Sequence, residues 1–263
     1  MNKSTSNFVA KFCAFTLAET LIVMGIIGIV SALTLPNLNS STGEKEKVAK
    51  VKKLYQNLTD AQARAVAVYG PVDTWFLSDT TKKDASNRYA DRIMEFMKVS
   101  KDCNQSVSGC FVNKNYYELS GKDHGGGPNT WPDDRKFKLA DGTSISLSID
   151  KYGTNACTST SSDLVGDNKL CGSISVDIDG IKGKNAYGID FFQFVITKDD
   201  IVPCGLPETT SGKSLTSTCF TTGGACAAWI IMNDNMDYYS KATKGVCKNN
   251  SSKTLSWDNT TCK

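Results

Sequence analysis

The feature that most constrains this chain is a run of 21 residues, Phe15 to Leu35, whose only charged side chain is Glu19. As an α-helix rising 1.5 Å per residue it spans roughly 31 Å, the hydrocarbon thickness of a bilayer. The flank ahead of it, "MNKSTSNFVAKFCA", carries Lys3 and Lys11 and no acid. The positive-inside rule therefore places the N-terminus in the cytoplasm and everything after Leu35 outside. Cysteine usage points the same way. Nine of the ten cysteines lie between Cys103 and Cys262, among stretches rich in Gly, Ser, Thr and Asn, and an exposed set of that size implies disulfides and an oxidising compartment. The formal net charge of +3 points to no nucleic-acid partner.

Glu19 separates the readings of this segment. A cleaved secretory signal has a shorter apolar region followed by a small-x-small site, which "SALTLPNLN" supplies poorly. A lipoprotein needs its acylated cysteine after the run, whereas Cys13 precedes it. A plain signal anchor explains length and orientation but leaves the carboxylate as an accident. An ionised group near the centre of a membrane helix costs roughly 2.5 to 3.5 kcal/mol, and such residues are usually paired and functional.

The stretch "AFTLAETLIVMGIIGIVSALTLP", Ala14 to Pro36, resembles the N-terminus of type IV pilins and type II secretion pseudopilins. The resemblance implies that a prepilin peptidase cuts between Ala14 and Phe15 on the cytoplasmic side and methylates the new N-terminus at Phe15. It implies that Glu19 meets the Phe15 amine of a neighbouring subunit in a filament, a buried pair that sets axial register. Pro36 matches the proline that commonly kinks this helix. The family usually has glycine before the cut, where this chain has Ala14. Implied partners are other pilin or pseudopilin subunits, the prepilin peptidase, an assembly platform in the inner membrane, and membrane lipid before assembly. The implied location is the inner membrane, single-pass with the head outside, and then a pilus or pseudopilus. Gly25 and Gly28 lack the G-x-x-x-G spacing of a helix-dimer motif and read as ordinary membrane-helix glycines.

The organisation that follows is a leader over 1–14, an apolar assembly helix over 15–35, an amphipathic spine over 36–70 and a head over 71–263. Pro36 has no N–H and kinks or interrupts a continuing helix; "NLNSSTGEKEK" after it either stays helical or loosens into a break. Val48, Val51, Leu54, Tyr55, Leu58, Ala61, Ala65 and Val68 then recur at helical spacing, with Lys45, Lys47, Lys52, Lys53 and Arg64 read as a solvated face. Gly70 and Pro71 end the helix. Residues 87–101 predict a second amphipathic helix, with Tyr89, Ile93, Phe96 and Met97 facing the core. "KFKLADGTSISLSI" predicts a hairpin about Asp141-Gly142. "SISVDIDG" predicts another strand, "DFFQFVITKDDIVP" a further hairpin-like pair, and "CAAWIIMN" a last strand. The fold class is α+β, in agreement with the pilin-like fold the resemblance implies, a long N-terminal helix packed on an antiparallel sheet with disulfide-rich loops.

Proximity in sequence suggests Cys103 with Cys110, Cys157 with Cys171, and Cys247 with Cys262, leaving Cys204, Cys219 and Cys226 to compete for one bond. Removing Cys13 with the leader leaves an odd number, so at least one thiol is free or bonded between molecules. "DIDGIKGKNAYGID" gathers Asp177, Asp179, Asn185 and Asp190 among glycines. Calcium takes oxygen ligands from such loops, and some pseudopilins bind it in sheet-side loops, but the spacing matches no EF-hand and the same residues make ordinary turns. The preferred reading is a structural turn, with calcium as the alternative and no other cofactor. The single histidine, His124, lies in "GKDHGGGPNTWPDD", a loop ill-suited to hold a catalytic base, and the cysteines lack zinc-ligand spacing. The expectation is a structural subunit and not an enzyme. The competing classes are a monomeric membrane-anchored binding or sensor domain and a secreted enzyme.

Overall fold

The fold is described from a computed structural model, covering residues 17–161 and 166–263 and, for 31–42, 159–161 and 166–168, the backbone only. The chain divides into two compact units, one ending at Gly43 and one comprising Glu44–Lys263. Helix α1 covers Leu17–Tyr69. Pro36 and the polar stretch after it lie within this helix, so of the two sequence alternatives the continuous one is realised. A proline interrupts the hydrogen-bond ladder locally, and the residues on either side remain helical. Among the described residues no helix is long and apolar enough to cross a membrane; of the run expected over 15–35, side chains are described for 17–30.

In the second unit, α1 buries Val48, Val51, Leu54, Leu58, Ala61 and Ala65, and Tyr55 packs half-buried beside them. Val68 departs from the expected stripe and is 62% exposed. Tyr69, four residues beyond Ala65, continues the stripe instead, because each residue advances the helix by about 100° and 61, 65 and 69 stay aligned. Gln62 is also buried, and Tyr89 Oη donates to its Oε1 at 2.5 Å. Gly70 ends the helix in the left-handed region at φ 81°, and its N–H donates to Val66 O at 2.9 Å. A residue with a side chain is disfavoured at such a helix end.

Helix α2 is Lys82–Met94, five residues earlier at its start than the expected 87–101. Thr81 caps it by accepting from the Asp84 N–H at 3.1 Å. Tyr89 and Ile93 reach the core as expected, while Phe96 and Met97 fall after the helix and are half-buried. The segment then extends as strand β1 (Val99–Asn104), whose pairing with β2 overrides local helical periodicity.

Strands β2 (Arg135–Leu139) and β3 (Ser144–Ile149) form the Asp141-Gly142 hairpin. Gly142 sits at φ 95°, and Asp141 Oδ1 accepts from the Thr143 N–H at 3.1 Å. The sheet is completed by β4 (Ser159–Ser161), β5 (Gly166–Asp177), β6 (Phe191–Thr197) and β7 (Ile201–Pro203). The seven strands run antiparallel in the order β1-β2-β3-β5-β6-β7, with β4 also paired to β5. Beyond the sheet come α3 (Thr210–Lys213), α4 (Ala227–Asn233), α5 (Asp237–Ser240) and the small hairpin of β8 (Ala242–Thr243) with β9 (Val246–Cys247). Helix α4 corrects the expectation of a strand over "CAAWIIMN". Ala227, Ala228, Trp229 and Ile230 are buried in succession, and a short apolar run buried on all sides carries no period to tell strand from helix. Asp234 closes α4 in the left-handed region at φ 55°.

One face of the sheet, bearing Ile145, Leu147, Ile149, Ile174, Val176, Phe192, Phe194 and Ile196, packs on α1 and α2 in a single core. The opposite face carries Ser144, Ser146, Ser148, Ser175 and Asp177, also buried. The chain between β1 and β2 folds over part of it and forms a second core of Cys103, Cys110, Phe111, Tyr116, Tyr187 and Phe191. Lys136 is wholly buried there, and its ammonium donates to the carbonyls of Gln105, Trp131 and Asp134 at 3.2, 2.6 and 3.2 Å.

Two α1 positions on the expected stripe, one buried and one exposed in the structure, give a direct test. Leu58→Ala is expected to cost about 2 to 5 kcal/mol in urea unfolding, whereas Val68→Ala, although on the expected stripe, should stay within about 0.5 kcal/mol.

Candidate functional site

The first unit presents α1 with Glu19 in its opening turn. Ala14 and Phe15, the expected cleavage and methylation positions, lie outside the described residues. Pro36 lies in the helix, and its side chain is outside what is described. Glu19 is exposed, and Thr20 Oγ1 donates to the Leu17 carbonyl at 2.9 Å. Around it Leu17, Leu21, Ile22, Val23, Met24, Ile26, Ile27, Ile29 and Val30 are between 52% and 79% exposed. These positions surround the helix instead of forming one stripe, the pattern of a helix enclosed by apolar surroundings on every side. A contiguous apolar surface of this kind marks contact with protein or membrane.

The acidic loop between β5 and β6 is the second candidate. Among the described residues no group of three or more His, Cys, Asp or Glu side chains is placed to hold a metal, and the loop's carboxylates accept hydrogen bonds from the protein. Asp190 Oδ2 accepts from the Lys184 and Asn185 amides at 2.6 and 3.0 Å, and Oδ1 from the Ala186 amide at 2.7 Å. Asp177 accepts from Tyr116 Oη at 2.8 Å and from the Asp179 amide at 3.1 Å. Asn185 is buried, and its Nδ2 donates to the Gly183 carbonyl at 3.4 Å. Gly183 is held at φ 84°, where a Cβ would stand 2.5 Å from Asp190 Oδ2, so the turn requires glycine in order to wrap its amides about that carboxylate. The turn's own amides and the Tyr116 hydroxyl thus occupy the carboxylates of Asp177 and Asp190.

The charge of this loop is balanced by α1. Lys47 Nζ lies 3.7 Å from Asp179 Oδ2 and donates to the Ile189 carbonyl at 3.2 Å, and Lys50 Nζ lies 3.5 Å from Asp179 Oδ1. Lys52 pairs with Asp234 beyond α4. Lys47 and Lys52, expected on a solvated face, thus reach into the head, as does Lys50. Burial, with Asp190 close by, pushes the Asp177 carboxyl up to about 8 in spite of the Tyr116 hydroxyl. Burial raises Asp190 too, against the amides that hold it and the Lys47 ammonium.

Four disulfides join Cys103 to Cys110, Cys157 to Cys171, Cys219 to Cys226 and Cys247 to Cys262. The competition among the remaining three cysteines is therefore resolved in favour of Cys219 and Cys226. Cys204 is a free thiol, 5% exposed, and burial pushes it up to about 12, so it is an inert core residue. His124 is exposed, with its ring 4.3 Å from that of Tyr187. Local pattern does not single out Lys136 or Tyr116. The one signal for Lys136 is that "KFK" alternates on a strand preceded by a long loop, which marks it as facing away from the main core without saying that the loop covers it.

No family model, no curated protein and no solved structure matches the chain.

The buried Asp177 carboxyl has a consequence for pH. Above about pH 4 the unfolded chain loses this proton while the folded chain keeps it until about 8, so stability falls as pH rises through that window and levels off above it. Asp177→Asn, which keeps the hydrogen-bonding size without the titration, should flatten that fall in thermal melts taken from pH 4 to 8. An unchanged slope would remove Asp177 as its source.

Proposed function

We propose that this chain is a structural subunit of a type IV pilus or type II secretion pseudopilus, a minor one. The precursor is cut between Ala14 and Phe15 by a prepilin peptidase, held in the inner membrane through residues 15–35 with its head outside, and polymerised through the same helix. The observation that carries the reading is the combination in α1 of apolar side chains exposed on every side over 17–30 with a carboxylate, Glu19, in the first turn. An apolar helix of that kind requires a lipid or protein environment, and the carboxylate within it requires a cation when the environment is dry. The methylated amine of Phe15 on a neighbouring subunit supplies that cation. The α+β head with its disulfides suits an oxidising compartment outside the membrane.

Mass spectrometry of the mature chain should find N-methylated Phe15 at its start; retention of Met1, or a start after Leu35, overturns the reading. Glu19→Gln and Glu19→Ala should leave membrane insertion and cleavage intact, because they remove a charge from the apolar segment. Both should abolish co-assembly, since breaking a buried pair costs about 3 to 5 kcal/mol at each subunit that carries the change. Crosslinking to neighbouring subunits at wild-type yield in both variants would refute the pairing.

A further inference from the structure

The face of the sheet turned away from α1 is only partly covered. Beside the chain that folds over it lies a groove of about 180 Å³. Its floor is polar and in lateral register across three strands. Ser148 of β3 stands opposite Ser173 of β5, and Ser175 of β5 stands opposite Gln193 of β6. Trp131 borders the same groove.

Ser175 lines the groove, where its hydroxyl is open to solvent and makes no hydrogen bond among the described residues. Ser173, Gln193 and Trp131 are half-buried, and the two side chains and the indole N–H likewise make no hydrogen bond among the described residues. Donors and acceptors on one floor, beside an aromatic ring, are thus open to water or to a ligand that displaces it.

The charges of the groove decide what that is. Lys82 Nζ lies 2.8 Å from Asp150 Oδ1, which also accepts from Ser148 Oγ at 3.1 Å, and 3.9 Å from Asp134 Oδ1. Asp134 Oδ2 accepts from Ser146 Oγ at 3.1 Å. An anion meets two carboxyl groups, and a cation has to displace an ammonium already in place. A neutral polyol meets neither obstacle. Each of its hydroxyls donates to a carboxylate or to the glutamine carbonyl and accepts from a serine, an amide or the ammonium, while the apolar C–H face of a sugar ring covers an indole. The volume is below the roughly 300 Å³ at which pockets for larger ligands begin, which limits the occupant to a single ring.

We propose that this groove is a carbohydrate site that takes one neutral pyranose ring of a glycan. It lies wholly in the second unit, and the inference holds whether or not the chain assembles into a filament.

The test is saturation-transfer NMR on the full chain in a detergent without a sugar headgroup, with glucose, galactose, mannose and N-acetylglucosamine as probes and glutamate and lysine as charged controls. Transfer to at least one sugar and to neither control is expected. Gln193→Ala and Ser175→Ala should each weaken that binding about 3- to 10-fold, the loss of one neutral hydrogen bond, with unchanged melting temperature. Trp131→Ala should weaken it further; if that variant fails to fold, the first two carry the test. Absence of transfer to all four sugars, preference for a charged probe, or undiminished sugar binding in both Gln193→Ala and Ser175→Ala overturns the proposal.

Discussion

The head is organised by the burial of one stripe of α1 against one face of the sheet. A helix with one apolar stripe and a sheet with one apolar face are each unstable alone and must cover one another. Tyr55 stacks on Phe194 of β6 with ring centroids 5.8 Å apart, and Val51, Leu54 and Leu58 are buried alongside. Apolar contact alone has no direction and leaves a helix free to slide. Directional contacts prevent this along the length of the helix: Lys47 and Lys50 on the acidic loop, Lys52 on Asp234, and Gln62 on Tyr89. Lys47 and Lys50 also offset the charge of a loop whose carboxylates are otherwise occupied by its own amides and by Tyr116.

The opposite face depends on a different device. The chain between β1 and β2 has little regular structure to satisfy its carbonyls, and Lys136 meets three of them with one ammonium. A buried charge is costly unless fully hydrogen-bonded, so this side chain holds its place only while the covering chain surrounds it. Arg135, next to it, pairs with Asp102 of β1 and hydrogen-bonds Asn87 of α2, tying both sides of the sheet to the edge strand. The Cys103–Cys110 disulfide closes the start of the same segment. Where the cover stops, the polar floor around Ser175 is left open.

On the reading proposed above, the chain divides its tasks between units: an apolar helix whose chemistry suits assembly, and a head whose outer sheet face suits recognition of a small neutral ligand. The two make separate physical demands. Assembly needs an apolar surface and one carboxylate that is expensive to leave unpaired, whereas the groove needs hydrogen-bonding groups set by strand register beside charges that already balance one another.

Much of the fold was legible in the residues. The α1 stripe, the Asp141-Gly142 hairpin and the alternation of "SISVDI" and "FFQFVI" follow from periods of 3.6 and 2, and the pairs Cys103–Cys110, Cys157–Cys171 and Cys247–Cys262 join near neighbours. The apolar run at the N-terminus is likewise a property of sequence alone. Other features depended on residues remote in the chain. "AAWIIMN" is a helix because it is enclosed on all sides, which erases its period; 99–104 is a strand because β2 lies beside it; and Lys136 is buried, while the groove at Ser175 is open, because a distant segment covers one and stops short of the other. Local pattern determines which face of an element is apolar, through side-chain direction along the backbone. Which polar groups end up in the interior, and which of those are left unpaired, is decided only when separate elements pack, because desolvation is a property of the neighbours and not of the residue.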